Sequence, residues 1–280
     1  MRDDRPSMTS TGSTALQDFL AAAPAVALVE VRQALGSTPR EAGAWMLVSP
    51  TGIFGTIGGG QLEFMAIDRA REMIAKEGPE TDLLDIPLGP EIGQCCGGRV
   101  QIDIALVDEE LRAAIPGRIE WEDAQRPHVY LFGGGHVGHA LAAALALLPV
   151  NVVVVETRAE ALEGMPAGIT SRLTPVPEEA VRDAPAGSAY VVLTHDHSLD
   201  FLIVAEALKR TDAAYVGMIG SKTKKATFRN WYLKEAGGSE ADFGRLVCPI
   251  GGPEVKDKRP AVIAALAAAE IVTALAAVSR

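Results

Sequence analysis

Apolar positions change their period along the chain. In the first part they come in short runs broken by glycine, at residues 25–31, 44–48, 83–88 and 100–107, the last alternating cleanly. A period of two with Gly-rich breaks predicts strands, and Gly52 after the second run predicts a hairpin. One stretch departs from this pattern. After Gly58-Gly59-Gly60 the apolar residues recur at helical spacing through Ile74, which predicts a single clear helix in this half.

From about residue 128 apolar strands alternate with helical stretches, at 129–132, 152–155, 189–193, 214–219 and 245–247. That alternation is the pattern of a parallel sheet wrapped by helices. The fold expected is therefore α/β, a C-terminal Rossmann-like doubly wound parallel sheet over residues 128–280 preceded by a smaller α+β domain over 1–117. Residues 118–127 are polar and lack strong periodicity, and read as a linker. The first twenty residues contain no apolar core, so no signal peptide is expected. Residues 261–278 have spanning length, but they are dominated by alanine and carry Glu270, which is costly in hydrocarbon. They read as a helix packed on a sheet or on a partner subunit, and the expectation is a cytoplasmic protein without a membrane partner, with a homodimer formed through this helix.

Charge and cysteine usage narrow the function. The net charge of −10 argues against nonspecific nucleic-acid binding, and the acidity belongs mainly to residues 1–117, with 9 Lys/Arg against 17 Asp/Glu. Three cysteines, an odd number in no metal-finger spacing, fit free thiols in a reducing compartment.

Two of those thiols are adjacent, in Gly93-Gln94-Cys95-Cys96-Gly97-Gly98. Neighbouring cysteines close a disulfide only through a small strained ring, so a ligand site explains the pair better than a bridge. Flanking glycines admit close backbone approach, and thiols offer soft ligands or a reactive thiolate. The alternative is a pair of small buried hydrophobes in a Gly-rich turn. Further along, Gly133-Gly134-Gly135-His136-Val137-Gly138 follows an apolar strand and opens a helix, and Glu156 ends the next strand. This matches the dinucleotide fingerprint, with Gly133 for the tight turn, Gly135 for pyrophosphate approach, Gly138 for helix packing and Glu156 for a ribose. His195-Asp196-His197 stands at the carboxyl end of a later strand, where metal binding, proton transfer or anion binding would be expected, unless Asp196 only caps the next helix. Ser221-Lys222 begins a helix and suggests a phosphate site, Ser221 as N-cap and Lys222 as cation, with Lys224 and Lys225 read as a solvated basic face.

Taken in order, Gly36-Ser37-Thr38-Pro39-Arg40, Gly58-Gly59-Gly60-Gln61-Leu62-Glu63, the Gln94-Cys95-Cys96-Gly97-Gly98 element, the Gly133–Gly138 loop, Thr194-His195-Asp196-His197, Gly217-Met218-Ile219-Gly220-Ser221 and Pro249-Ile250-Gly251 resemble the xanthine dehydrogenase accessory proteins of the XdhC/CoxI family. The resemblance runs over nearly the whole chain from about residue 25. It implies an assembly factor without turnover of its own. Such a protein binds the molybdenum cofactor, a molybdopterin, promotes its sulfuration through a cysteine desulfurase and passes it to apo xanthine dehydrogenase, alongside molybdenum cofactor biosynthesis proteins. Arg40, Gln61, Glu63, Gln94, Cys95, Cys96, Gly97 and Gly98 are then cofactor-binding candidates, with Cys95 and Cys96 as molybdenum ligands or as shields of its labile sulfur. The second half adds Gly133, Gly135, His136, Gly138, Glu156, His195, Asp196, His197, Ser221 and Lys222 for the anionic tail, or for NAD(P) or another nucleotide. Two other functions use parts of this set: an NAD(P)-dependent oxidoreductase with His195 as acid/base, and a thiol redox regulator. The first leaves the thiol pair unexplained and the second leaves the Gly-rich fingerprint unexplained.

Overall fold

The glycine-broken apolar runs of the first part pair into one antiparallel sheet. The computed structural model describes residues 11–76, 79–89, 97–252 and 255–278, and the chain divides into two units, Met1–Glu122 and Asp123–Arg280. In the first unit strands β1 (Ala27–Leu35), β2 (Trp45–Val48), β3 (Ile53–Gly55), β4 (Thr81–Pro87) and β5 (Arg99–Leu106) lie in the order β3-β2-β1-β5-β4. The pleat sorts neighbours to opposite faces. Met46 and Val48 join Val29, Ile102 and Ile104 under α2 (Gly60–Ala75), which buries Leu62, Ala66, Ala70 and Met73. Trp45 and Leu47 instead meet Leu16 and Leu20 of α1 (Thr11–Ala22) and Ile115 and Ile119 of α3 (Glu109–Gln125).

Two of these helices correct the expectation of a single one. α1 carries only Leu16 and Leu20 as large buried anchors, one helical turn apart, too few to stand out in a polar N-terminus. α3 runs through residues 118–125, which had read as linker. Pro116 and Gly117 disfavour a helix interior by about 4 kcal/mol together. Burial of Ile115 and Ile119 returns about 1.5–3 kcal/mol each. Polar anchors add to this: Arg118 pairs with Glu30 at 2.8 Å and lies over the Trp45 ring at 5.1 Å, and Trp45 Nε1 donates to Glu122 Oε1 at 2.9 Å. The helix is fixed by what it packs against, which local periodicity does not encode.

The second unit is a parallel sheet of β6 (His128–Phe132), β7 (Asn151–Glu156), β8 (Thr170–Leu173), β9 (Ala189–Val192), β10 (Tyr215–Met218) and β11 (Leu246–Val247), ordered β11-β10-β9-β6-β7-β8. Strand order reverses at β6, the switch point of a Rossmann-like doubly wound sheet. Helices α4 (His136–Leu145) and α9 (Pro260–Val278) cover one face through Leu141, Leu145, Ala267, Ile271 and Leu275. Helices α5 (Glu178–Asp183), α6 (His197–Lys209) and α7 (Lys222–Lys234) cover the other through Val181, Ile203, Leu208, Phe228 and Tyr232, joined by Phe243 of the short α8 (Glu240–Phe243). α9 is long and apolar enough to cross a membrane by length and composition, yet it buries one side in this core. Its one carboxylate, Glu270, accepts hydrogen bonds from Tyr215 Oη at 2.8 Å and Gly251 N at 2.9 Å. β8 escaped the sequence pattern because it is a polar edge strand, Thr170-Ser171-Arg172-Leu173, with no buried face to impose alternation.

Candidate functional site

In the first unit three motif-bearing connections leave the same edge of the sheet. β1 ends at Leu35 opposite Arg99, where β5 begins, and Arg99 in turn faces Pro87 at the end of β4. β3 ends at Gly55 opposite Met46 of β2. The loop after β1 therefore meets both the loop entering α2 and the end of the β4–β5 connection. Glycine makes the meeting close: a Cβ on Gly98 would lie 2.6 Å from the Leu35 carbonyl oxygen, and one on Gly58 would lie 2.6 Å from Pro39 Cβ. Gly58 also holds φ 122°, in the region that only glycine adopts readily. Of the candidates here, Arg40 and Gln61 are exposed and Gly97 takes a positive φ of 67°. Gln94, Cys95 and Cys96 lie outside the described residues. A cavity of about 440 Å³ lies beside this edge, lined in part by Arg40, Trp45 and Thr56.

Glu63, a candidate ligand residue by sequence, is engaged with the loop that precedes it. It is 3 % exposed and accepts hydrogen bonds at Oε2 from the Ile57 and Gly59 amides, both at 3.0 Å, and from the Thr56 hydroxyl. Its carboxylate folds the loop that enters α2. An anion in a helix's first turn also complements the helix dipole.

In the second unit Gly133, Glu156, His195 and Asp196 gather at the carboxyl ends of β6, β7 and β9, around a cavity of about 300 Å³, whereas His136, His197, Ser221 and Lys222 are not among its lining residues. Gly133 has φ 121°, and a Cβ there would sit 2.7 Å from the Leu193 carbonyl oxygen. Gly138 packs directly on the Gly133 carbonyl, so both glycines do what the fingerprint asks of them. Gly135 caps α4 with φ −76° and no side-chain cap, and a Cβ there would meet only the His195 ring, at 3.1 Å from Nε2 and 3.3 Å from Cε1. His195 thus stands over the start of α4. His136 is exposed on the first turn of α4.

Glu156, expected from the sequence as a ribose acid, is engaged with its own loop. It lines the cavity, but its Oε2 accepts from Gly134 N at 2.9 Å and Arg158 Nη2 at 3.4 Å. Its Oε1 accepts from Thr157 N at 2.8 Å, Thr157 Oγ1 at 3.1 Å and Arg158 N at 3.2 Å. Burial alone would push this carboxyl up; the donors from Gly134, Thr157 and Arg158 outweigh it and hold the group below the ordinary glutamate range. Glu156 locks the Gly-rich loop onto the end of β7.

Asp196 caps α6, accepting from Ser198 N at 2.7 Å and Leu199 N at 3.3 Å, and it also lines the cavity; His197 is exposed on the first turn of that helix. Among the described residues no group of three or more His, Cys, Asp or Glu is arranged to hold a metal ion. Ser221 caps α7, accepting from Lys224 N at 3.2 Å. Lys222 is exposed, whereas Lys224, expected on a solvated face, has a side chain only 9 % exposed that pairs with Asp200 and donates to the Ile219 carbonyl at 3.0 Å. Asp200 is fully buried and also accepts from Thr194 Oγ1 at 2.6 Å and Thr194 N at 3.1 Å. Sequence reasoning missed this pair, although one signal was available. A cation in the first turn of a helix opposes the dipole and needs a nearby anion. Cys248 packs under Gly220 beside this pair, and its burial pushes the thiol up, partly offset by Lys225 and Lys224.

Comparison with known proteins agrees with this geometry. A crystal structure described as a xanthine dehydrogenase from Bacillus halodurans matches with a TM-score of 0.76 at 16 % identity, over 97 % of this chain and 96 % of that one. At that identity the likeness is one of fold. The uncharacterized protein YqeB of Escherichia coli (strain K12) is 26 % identical over 236 residues, 80 % of this chain; the chain spans 39 % of that relative's length. The model of the XdhC Rossmann domain matches residues 129–271, and that of the XdhC and CoxI family matches residues 19–86. With both regions present in this order, the chain belongs to the XdhC and CoxI family.

Proposed function

We propose that this protein is an accessory factor for xanthine dehydrogenase maturation and not an enzyme in its own right. It binds the molybdenum cofactor, supports its sulfuration by a cysteine desulfurase in the cytoplasm, and delivers it to the apo-dehydrogenase. The observation that carries this reading is the meeting of the Gly36–Arg40, Gly58–Glu63 and Gly97–Gly98 motifs at one sheet edge, through contacts that only glycine allows. Three dispersed motifs that converge in space define a site, and the adjacent thiols Cys95 and Cys96 belong by sequence to the same connection as Gly97 and Gly98. Thiols suit a molybdenum–sulfur centre, for which soft donors are preferred, and the exposed Arg40 suits a phosphate. The cofactor, when bound, supplies the metal and its terminal sulfur. The chain's part is to hold it, keep water from the sulfur and release it.

The second unit supports the same reading as an anion site that performs no hydride transfer. The test is reconstitution: apo xanthine dehydrogenase, molybdenum cofactor and a cysteine desulfurase are combined with and without the protein. Activation that depends on the protein, and is lost with Cys95→Ser/Cys96→Ser, is the expected result. Activation at the same rate without the protein, or undiminished with the double variant, removes the proposal.

A further inference from the structure

We infer that Glu122 of α3 is a specificity-determining residue. In the cavity beside the sheet edge of the first unit it reads two adjacent N–H donors on the edge of a flat ring, the 2-amino-4-oxopyrimidine edge that pterin and guanine share. That the ring is a pterin rests on the cofactor reading above; its recognition by Glu122 does not. Glu122 lies outside every Gly-rich motif of the chain, on the helix that the sequence pattern hid.

The cavity holds about 440 Å³. Small-molecule pockets run from roughly 300 to 1,000 Å³. Pro39, Ala42, Ala44 and Trp45 give it carbon surface for a ring. Most of its polar atoms are already spent within the protein. Gly43 N donates to the Val31 carbonyl and the Ala44 carbonyl accepts from Val31 N, both at 2.8 Å, while Ala44 N donates to the Glu41 carbonyl at 3.3 Å. The Gly43 carbonyl accepts from Arg118 at 3.3 Å, and Thr56 Oγ1 is taken up between Glu63 and the Gly58 amide. Glu122 differs. Its Oε1 accepts from Trp45 Nε1 at 2.9 Å and Arg118 Nε at 3.2 Å, which holds the carboxylate in place. Among the described residues none donates to its Oε2, and the side chain stays 32 % exposed.

A fixed, ionised carboxylate in such a lining asks its ligand for donors, and hydrogen bonds to an ionised acceptor are roughly twice as strong as neutral ones. Charge then decides between a cation and a neutral ring. Arg118 already sits on Glu122, and Arg40 lines the same cavity. An ammonium or a guanidinium would meet both cations, whereas a neutral ring makes the same hydrogen bonds without that repulsion. The exposed Arg40 is also placed for an anionic arm on the ring. Pterin and guanine set a ring N–H beside an amino group, two donors for one carboxylate. Lumazine and hypoxanthine, which lack the 2-amino group, do not.

Calorimetric titration of the full chain with two matched pairs, pterin against lumazine and GMP against IMP, isolates the 2-amino group. The expected result is that pterin or GMP binds at least about tenfold tighter than its own partner. The tighter of the two identifies the source as a pterin or a guanine nucleotide. Glu122→Gln leaves an oxygen for Trp45 but puts an amide donor where the open acceptor stood, and it should erase the preference. Ala42→Trp, at an exposed lining position outside the ion pairs, should weaken binding about tenfold or more by filling the cavity, and it keeps the test decisive if Glu122→Gln lowers the melting temperature. Equal binding within both pairs, no binding of pterin or GMP up to about 1 mM, or a preference that survives both variants overturns the inference. Cofactor retained by Glu122→Gln as fully as by the parent also overturns it, and leaves the cofactor reading standing. A parent that carries no cofactor yet shows the Glu122-dependent preference upholds the recognition and removes the cofactor reading alone.

Discussion

At the residue scale the polar groups of the second unit divide into those that hold the crevice in shape and those that face it. Lys224 and Asp200 belong to the first kind, both nearly or fully buried and tied to the ends of β9 and β10. Removing one partner of such a pair leaves an uncompensated buried charge and costs about 3–5 kcal/mol. Lys224→Met should therefore lower unfolding free energy by about that amount in urea titration, while Lys222→Met, at an exposed position, should change it by less than about 0.5 kcal/mol. Equal effects would contradict the assignment. Glu156 gives a pH signature. Its carboxyl is held below the ordinary range, so its contribution is fully present above the unfolded-state pKa of about 4.3 and is lost as pH falls through the lower folded value. Glu156→Gln should be less stable than the parent at neutral pH, with the difference shrinking below about pH 4; a gap independent of pH would contradict the role given to this carboxylate. Gly133, Gly138 and the Ser221 cap were legible in the sequence because each serves a local backbone requirement. The tasks of Glu63, Glu156 and Lys224 were not, since each depends on partners brought close only by the fold.

At the scale of elements, strands with a buried face and helices with periodic stripes were readable, and those held by tertiary anchors were not. β5, β6, β7 and β9 follow their apolar runs, and the hairpin of β2 and β3 falls at Gly52 as the turn signal requires. α3 was hidden by Pro116, Gly117 and a polar sequence, and its anchors come from Trp45 and Glu30, far away in the chain. Its helical state has a direct test. A Cβ on Gly117 would meet no atom within 4 Å, so Gly117→Ala should raise stability by about 0.5–1 kcal/mol if residues 109–125 are one helix. No change would favour a linker. Gly98→Ala makes the opposite prediction at the sheet edge. Its added methyl would press on the Leu35 and Ser37 carbonyls, and the loss should be about 1–3 kcal/mol by thermal unfolding. Unchanged stability would remove the close contact on which the converging motifs rest.

At the scale of the whole molecule, two units with different sheets carry two candidate sites, a glycine-built edge associated by sequence with a thiol pair and a small crevice at the ends of β6, β7 and β9. We propose that two copies associate through the outward side of α9, where Ala261, Ala265, Ala269 and Val272 are exposed and Glu270 is turned to Tyr215 and Gly251. Sedimentation at micromolar concentration should show a dimer, and a monomer there would contradict that association. The central claim is tested most directly by the metal and pterin content of the full chain purified from molybdenum-replete cells. The account predicts molybdenum and pterin together in the parent protein, and the loss of both in a Cys95→Ser/Cys96→Ser variant that melts at the same temperature. A parent protein carrying neither, or a double variant that retains both in full, would contradict it.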